Sequence, residues 1–250
     1  MNVLAAMAGI TDGEFCKKFT KQNVDIITLG GYNIDLETFK AGLENSVEDR
    51  QEFITCPHHL SEDIDEQIEI IRKYNPQWKG LISANLRAVK SESFNAIYKN
   101  KNIDIIEINA HCRQPATVKA GAGQALLKKT DVLYDSIDKV TSNMDCDVSV
   151  KIRANVEGVD TLDIVENIES YPVKYLHVDA FNPGVEEADY DMINKIASKT
   201  SMHIIGNNCI TTHEAYQKML DNGADSVSVA RAALDGDLTN IFKWIFFWYA

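Results

Sequence analysis

Short apolar runs alternate along the chain with longer stretches in which apolar residues recur every three or four positions. The runs are rich in Val and Ile, which is typical of strands buried in a parallel sheet. They predict eight strands, over residues 3–7, 25–29, 80–85, 103–109, 147–153, 174–179, 202–206 and 225–230.

The intervening stretches predict amphipathic helices. Ile64, Ile68 and Ile71 have the spacing of one helix face. The same pattern predicts helices over residues 64–74, 132–140, 162–168, 188–197, 215–220 and 238–248. Thr161, Thr212 and Asp237 are expected N-caps, and Gly223 follows a helix where a C-terminal glycine is favoured.

Eight strands with interleaved helices indicate an α/β protein with a (β/α)₈ TIM barrel as a single domain over residues 1–250. The alternative is an open doubly wound sheet, but a length of 250 residues favours closure. Residues 30–79 form an enlarged connection between strands two and three, expected as an insertion over the mouth or side of the barrel. Residues 237–250 are expected to form a C-terminal aromatic helix.

The net charge of −12 argues against extensive nucleic-acid binding, because phosphate contacts need Lys and Arg. The five cysteines are scattered without a CxxC pair, and no secretory signal begins the chain, which predicts reduced thiols and a cytoplasmic protein. The apolar cluster at residues 241–250 is too short to cross a bilayer, so no membrane association is expected.

Chemistry in such a barrel lies at the carboxyl ends of the strands. Strand four ends with Glu107 and Asn109 on its inward face, followed by Cys112 between His111 and Arg113. A lone cysteine is commonly a small buried apolar residue, but neighbouring cations would lower the thiol pKa and make it reactive. Both interpretations remain open on these residues alone.

Strand five places Lys151 and Arg153 on one face of an apolar run. A lysine inside a barrel needs a partner, so Lys151 either forms an ion pair with Glu107 or binds an anionic ligand or ring. Strand six ends with His177 and Asp179, which are too few ligands for a metal site.

Strands seven and eight are followed by loops that commonly bind phosphate in this fold. Asn207, Asn208 and Arg231 are the candidate phosphate ligands there, unless Asp235 or Asp237 pairs with Arg231. The His58–His59 pair is interpreted as loop, and no metal is predicted.

Taken in order, five segments resemble the flavin-dependent tRNA-dihydrouridine synthases and, more distantly, the dihydroorotate dehydrogenase barrels. They read LAAMAGITD at 4–12, INAHC at 108–112, GAGQALL at 121–127, VKIR at 150–153 and GADSVSVARAAL at 223–234. The corresponding family patterns are LAPMAGVTD, INMGC, GAGxALL, VKIR and GADGVMIGRGAL.

The resemblance implies an FMN-dependent oxidoreductase acting on a C=C bond of a pyrimidine-like ring. Cys112 would be the general acid that protonates the ring carbon opposite the hydride, and Asn109 would orient the ring or substrate. The residues placed at flavin-contacting positions are Met7, Ala8, Asn85, Lys151, Asp179, Asn207, Asn208, Ala230 and Arg231.

Several positions depart from the family pattern. Asn85 stands for a glutamine, Asp179 for a flavin-contacting histidine, and Asn208, Ala230 and Ala232 for glycines. A carboxylate at Asp179 would repel the FMN phosphate unless it bonds elsewhere, and the lost glycines restrict close approach of the backbone.

Only about fifteen residues follow Leu234, where the family carries a helical tRNA-binding domain. With the acidic charge, this weakens the expectation of a tRNA substrate and leaves a small pyrimidine-like or other unsaturated ring as an equal alternative. The aromatic residues at 242, 244 and 246–249 suggest either packing at the barrel bottom or a homodimer interface.

Two other functions fit the residues. One is a flavin-free, phosphate-binding isomerase or lyase, with Lys151 or Glu107 as acid or base and His177 with Asp179 as a metal or proton partner. The other is a non-catalytic relative that binds a nucleotide or a partner protein.

Overall fold

Eight parallel strands close into a barrel in the computed structural model, which describes residues 1–48 and 50–243. Each strand pairs with the next along the chain, and the eighth pairs with the first. The strands are β1 (Asn2–Leu4), β2 (Ile26–Asn33), β3 (Leu81–Arg87), β4 (Ile105–Ala110), β5 (Asp147–Arg153), β6 (Tyr175–Asp179), β7 (His203–Asn207) and β8 (Ser226–Val229). The prediction of a closed (β/α)₈ barrel is confirmed.

The strand ends differ from the predicted runs where local hydrogen bonds intervene. β1 stops at Leu4 rather than residue 7, because the Met7 carbonyl accepts the N–H groups of Ile10 and Thr11 and turns the chain. β2 and β3 run past their predicted ends, with a register shift between Gly30 and Tyr32. These extensions carry polar residues further up the barrel mouth.

The helices surround the barrel. They are α1 (Gly13–Cys16), α2 (Leu36–Val47), α3 (Leu60–Tyr74), α4 (Pro115–Ala120), α5 (Thr130–Asn143), α6 (Thr161–Ile168), α7 (Tyr190–Ala197) and α8 (His213–Asp221). Thr212 is the N-cap of α8, as predicted, and accepts the Ala215 N–H. Asp160 rather than Thr161 is the N-cap of α6, because its carboxylate accepts two N–H groups of the first turn.

The connection between β2 and β3 contains α2 and α3, and residues 50–52 between them reach the barrel mouth. Gly9 shows how closely they pack, since a Cβ there would lie 2.5 Å from the Gln51 carbonyl carbon and from the Glu52 nitrogen. This connection therefore supplies part of the wall at the mouth.

Side chains that alternate along the strands divide the barrel into layers. Ile106 and Ile108 pack outward in the main hydrophobic core, and the inward Ile105 belongs to a small apolar cluster low in the barrel. Glu107, one step above Ile105 on the inner face, lies in a polar layer. The barrel is thus apolar at its base and polar toward its mouth.

The predicted C-terminal aromatic helix is not formed where the chain is described. Residues 238–243 make turns, with the Asp237 carboxylate accepting the Thr239 N–H. Phe242 is buried and meets the Tyr216 ring edge-on. The remaining aromatic residues, at 244 and 246–249, lie outside the described residues. Among those described, no helix has the length and apolar character needed to span a bilayer.

Candidate functional site

A cavity of about 740 Å³ opens at the carboxyl ends of the strands. This volume is within the range of small-molecule sites. Six of the predicted site residues line it: Met7, Ala8, Asn85, Asn109, Cys112 and Arg231. The other predicted residues lie at the ends of β5 to β8 beside this cavity.

Cys112 is held in a tight loop after β4. The Asn109 side-chain oxygen accepts the N–H groups of His111 at 3.1 Å and Cys112 at 3.0 Å, and the Cys112 carbonyl accepts the Gln124 N–H at 2.9 Å. Gly123 has φ +61°, and a Cβ there would lie 2.3 Å from the Cys112 oxygen. The GAG segment therefore positions the cysteine loop, and Asn109 orients the loop from below.

Arg87 at the end of β3 lies beside the Cys112 thiol. Arg87 was not among the site residues predicted from the sequence. Its guanidinium binds the Glu52 carboxylate, donates to the Gly31 carbonyl at 2.7 Å and lies 3.9 Å from Cys112 Sγ. The Arg87 and Glu52 side chains are each only 2% exposed. The only sequence signal for Arg87 was an ionisable residue two positions beyond the predicted strand. Its contact with Glu52 joins positions 35 residues apart, which no local pattern indicates.

Six polar side chains form a hydrogen-bonded chain through the barrel interior, here called the interior chain. In order, its members are Asn109, Asn85, Glu107, His177, Ser228 and Asn207. Each link measures between 2.6 and 2.8 Å. The chain connects the loop that carries Cys112 with the loop after β7.

Glu107 is the charged member of the interior chain. It accepts hydrogen bonds from Asn85, Ser149 and His177. Burial by itself raises the pKa of Glu107, but the charge and hydrogen bond of His177, with the charge of Lys151 and the hydrogen bond from Asn85, outweigh burial and lower the pKa to about 2. Burial and the charge of Lys151 lower the pKa of His177, opposed by the charge and hydrogen bond of Glu107.

Glu107→Gln is expected to flatten the acid limb of stability. The folded state holds the pKa of Glu107 at about 2 against the ordinary 4.5, so the unfolded chain binds the proton first as pH falls. Stability from the ionised form is present above about pH 5 and is lost toward about pH 2, by about 3 kcal/mol in all. Urea unfolding at stepped pH measures this, with exposed Glu44→Gln as control. An equally steep acid limb in Glu107→Gln and wild type contradicts it.

Lys151 is 2% exposed, and its ammonium makes no hydrogen bond or ion pair with any residue that the structure describes. The predicted alternative of an ion pair with Glu107 is wrong. Glu107 lies level with Ser149 on β5, whereas Lys151 lies level with Asn109, and Glu107 binds His177 instead. Burial lowers the pKa of Lys151, opposed by the charges of Glu107 and Asp179. A buried, unpaired cation of this kind favours an anionic or carbonyl-bearing ligand.

Asp179 is compensated within the protein. Arg153 donates to it at 2.5 Å and Asn208 at 2.6 Å, and His111 Nδ1 lies 3.6 Å away. Burial raises the pKa of Asp179, but the charge of Arg153 and the hydrogen bond from Asn208 lower it. Burial and the charge of Lys151 lower the pKa of His111 to about 3, so its imidazole is neutral near pH 7.

The loops after β7 and β8 offer free donors. Within the described residues, the backbone N–H groups of Asn208, Cys209, Ala230 and Arg231 donate to no protein acceptor. The Asn207 and Asn208 side chains are turned to Ser228 and Asp179. Arg231 is exposed at the cavity and forms no ion pair with Asp235 or with any other described carboxylate. Backbone amides, rather than the asparagine side chains, are therefore the available anion donors.

Across residues 1–48 and 50–243, no three His, Cys, Asp or Glu side chains come together in a way that could hold a metal ion. His177 is fully buried, with both ring nitrogens bonded to Glu107 and Ser228. His177 and Asp179 therefore act in separate hydrogen-bond systems.

The dihydrouridine synthase family matches residues 89–236 of the chain. An uncharacterized protein of Methanocaldococcus jannaschii is 38% identical over 249 residues, which cover 97% of this chain and 91% of that protein. tRNA-dihydrouridine synthase B of Escherichia coli K12 is 31% identical over 138 residues. That match covers 52% of this chain and 42% of the synthase.

Solved structures share the fold at low identity. A thiamine phosphate pyrophosphorylase of Pyrococcus furiosus aligns with a TM-score of 0.53 and 11% identity, covering 97% of this chain and 90% of that one. An N-acetylmannosamine-6-phosphate 2-epimerase of Clostridium perfringens aligns with a TM-score of 0.57 and 12% identity, covering 92% and 86%. These likenesses concern the barrel alone.

Proposed function

The chain belongs to the dihydrouridine synthase family, and from that premise we propose that it is an FMN-dependent oxidoreductase acting on a C=C bond of a pyrimidine-like ring. The observation that carries the proposal is Lys151. Its buried ammonium has no partner among the described residues. Lys151 lies on β5, next to β4, and the loop after β4 carries Cys112. A buried ammonium of this kind is stabilised by the electron-rich edge of a bound ring.

The donor set fits FMN. Lys151 would hold the ring, and the free amides of Asn208, Cys209, Ala230 and Arg231 would hold the phosphate together with the Arg231 side chain. The Asp179 carboxylate is already bound within the protein, because Arg153 neutralises it and Asn208 donates a hydrogen bond to it. Its expected repulsion of the FMN phosphate is therefore reduced. Met7 and Ala8 line the cavity at the barrel mouth, as does Arg231.

The bound flavin supplies hydride chemistry to or from one carbon of the substrate double bond. Cys112 supplies the proton to the neighbouring carbon in the direction of reduction and accepts it in the reverse direction. Asn109 holds the backbone of the cysteine loop and so aims the thiol, while Arg87 at 3.9 Å stabilises the thiolate that remains. Water returns the proton to sulfur between turnovers.

The substrate class follows from relatives and charge together. Several relatives are tRNA-dihydrouridine synthases, which supports a uracil-type ring. The net charge of −12 opposes a large RNA interface, so a nucleotide-sized substrate is an equal alternative to a tRNA uridine.

FMN binding tests the proposal directly. The purified protein is expected to show flavin absorbance or to take up added FMN with quenching of its fluorescence. Lys151→Met is expected to weaken FMN binding by about tenfold or more, because the ring loses a charge-assisted partner. The matched control is Lys79→Met, an exposed lysine at the opposite end of the barrel. A colourless protein that takes up no FMN overturns the proposal, and isomerase or lyase activity without flavin would replace it.

A further inference from the structure

A second cleft of about 700 Å³ lies beside the mouth cavity and is strongly basic. Its charged walls are Arg113, Lys128, Lys129 and Arg153, against a single carboxylate, Glu157. In a chain whose net charge is −12, this local excess of cations is opposite in sign to the rest of the protein. We call it the basic cleft.

Three of these cations are available to a ligand. Arg113, Lys128 and Lys129 are exposed, and none forms an ion pair with a residue that the structure describes. The Lys128 ammonium reaches across toward the loop after β5, where a Cβ on Gly158 would meet it at 3.8 Å. Arg153, by contrast, is buried against Asp179 and forms the floor. Opposed, unpaired cations across a concave surface favour an anion between them.

The basic cleft is continuous with the loop of Cys112. Arg113 is the next residue along the chain, and Gln124, another lining residue, donates its backbone N–H to the Cys112 carbonyl at 2.9 Å. Arg153 in the floor binds Asp179, which lies 3.6 Å from His111. A ligand with its ring at Cys112 can therefore extend directly into the basic cleft.

One wall also presents an aromatic face. The Arg153 guanidinium carbon lies over one face of the Phe181 ring, 3.8 Å from the ring centroid, and the Phe181 carbonyl accepts a hydrogen bond from Asn155 at 2.8 Å. Nucleotide-binding sites combine an aromatic ring with cations in this way: the ring stacks on a base or sugar, and the cations bind phosphate.

We propose that the basic cleft binds a phosphate group of the substrate, so that the substrate is a pyrimidine nucleotide, free or within a strand, rather than a free base or nucleoside. This inference rests on the proposed function of the mouth cavity. The basic cleft lies at β4 to β6 and is separate from the amide donors after β7 and β8. Arg113, Lys128 and Lys129 bind the phosphate, and Phe181 supplies the stacking face.

The test compares uridine, uridine monophosphate and an eight-nucleotide oligouridylate by calorimetry, with FMN present. Wild type is expected to bind both phosphorylated ligands more tightly than uridine. Lys128→Ala/Lys129→Ala is expected to lose about tenfold in affinity for a phosphorylated ligand and nothing for uridine. For the oligonucleotide, the slope of log Kd against log salt is expected to fall by about 0.7, because the cleft no longer neutralises one phosphate of the strand.

The matched control is Lys79→Ala/Lys195→Ala, which removes two exposed lysines outside the basic cleft and makes the same charge change. Arg113→Gln provides a second variant should the double variant unfold. Losses for both the monophosphate and the strand support a phosphate subsite open to either source. A loss for only one ligand identifies that one as the source. Equal affinities in the cleft variants and the control overturn the proposal.

The two proposals fail differently. If the cleft variants lose phosphate affinity but wild type binds no FMN, the basic cleft stands and the flavin function falls. If wild type binds FMN and Lys151→Met does not, while the cleft variants bind every ligand normally, the flavin function stands and the basic cleft falls.

Discussion

Cys112→Ala is expected to lower the rate of substrate reduction by about 10²–10⁴, the usual contribution of a positioned proton donor. FMN binding is expected to remain, because the thiol is no part of the donor set that fits the flavin. The measurement is anaerobic mixing of the flavin-reduced enzyme with substrate, following return of the oxidised flavin absorbance.

Cys146→Ala is the matched control, since Cys146 lines a small cavity at the opposite end of the barrel. Cys112→Ser tests the same point with a smaller change of shape, and its less acidic hydroxyl is expected to restore little of the rate. Turnover by Cys112→Ala at the wild-type rate would remove Cys112 from the reaction.

Glu52→Ala is expected to destabilise the protein by about 3–5 kcal/mol, because it leaves the Arg87 guanidinium buried without its carboxylate. In a chain of this size that corresponds to a loss of roughly 10 °C in Tm. Urea and thermal unfolding measure the effect, and Glu44→Ala, an exposed glutamate on α2, provides the control.

The double variant Glu52→Leu/Arg87→Met separates the charge from the packing. Because it removes both ions together, it is expected to lose much less stability than Glu52→Ala. A Glu52→Ala protein as stable as the Glu44→Ala control would show that water reaches Arg87 and that the pair is not buried. Weaker activity in the stable double variant would in turn place Arg87 in the positioning of Cys112.

Sequence periodicity predicted the barrel because each of its strands is buried in a parallel sheet and therefore reads as a short apolar run. The alternation along β4 also predicted that Glu107 and Asn109 face inward, as they do. Alternation predicts which face of the strand a side chain occupies, but not how far up the barrel it lies relative to residues on the neighbouring strands. Glu107 therefore binds His177 from β6, and the neighbour expected for it, Lys151, lies two residues higher on β5.

Contacts between distant segments lay beyond sequence reasoning. Glu52 belongs to the connection between β2 and β3, and nothing in its local pattern indicates that it reaches Arg87. The bonding of Asp179 was likewise hidden, since Arg153 and Asn208 come from two other strand ends. These long-range pairs depend on how the loops pack over the barrel mouth. The local pattern of residues around each position does not indicate that packing.

The interior chain has a consequence for engineering and for divergence. Its six side chains each use hydrogen-bonding groups on the next, from Asn109 to Asn207. Exchanging one member alone leaves a buried donor or acceptor unmatched, which costs about 1–3 kcal/mol. New chemistry is therefore introduced most readily at the rim, through loops such as the one carrying Arg113. The centre of the barrel changes only when partners are replaced together, as a block.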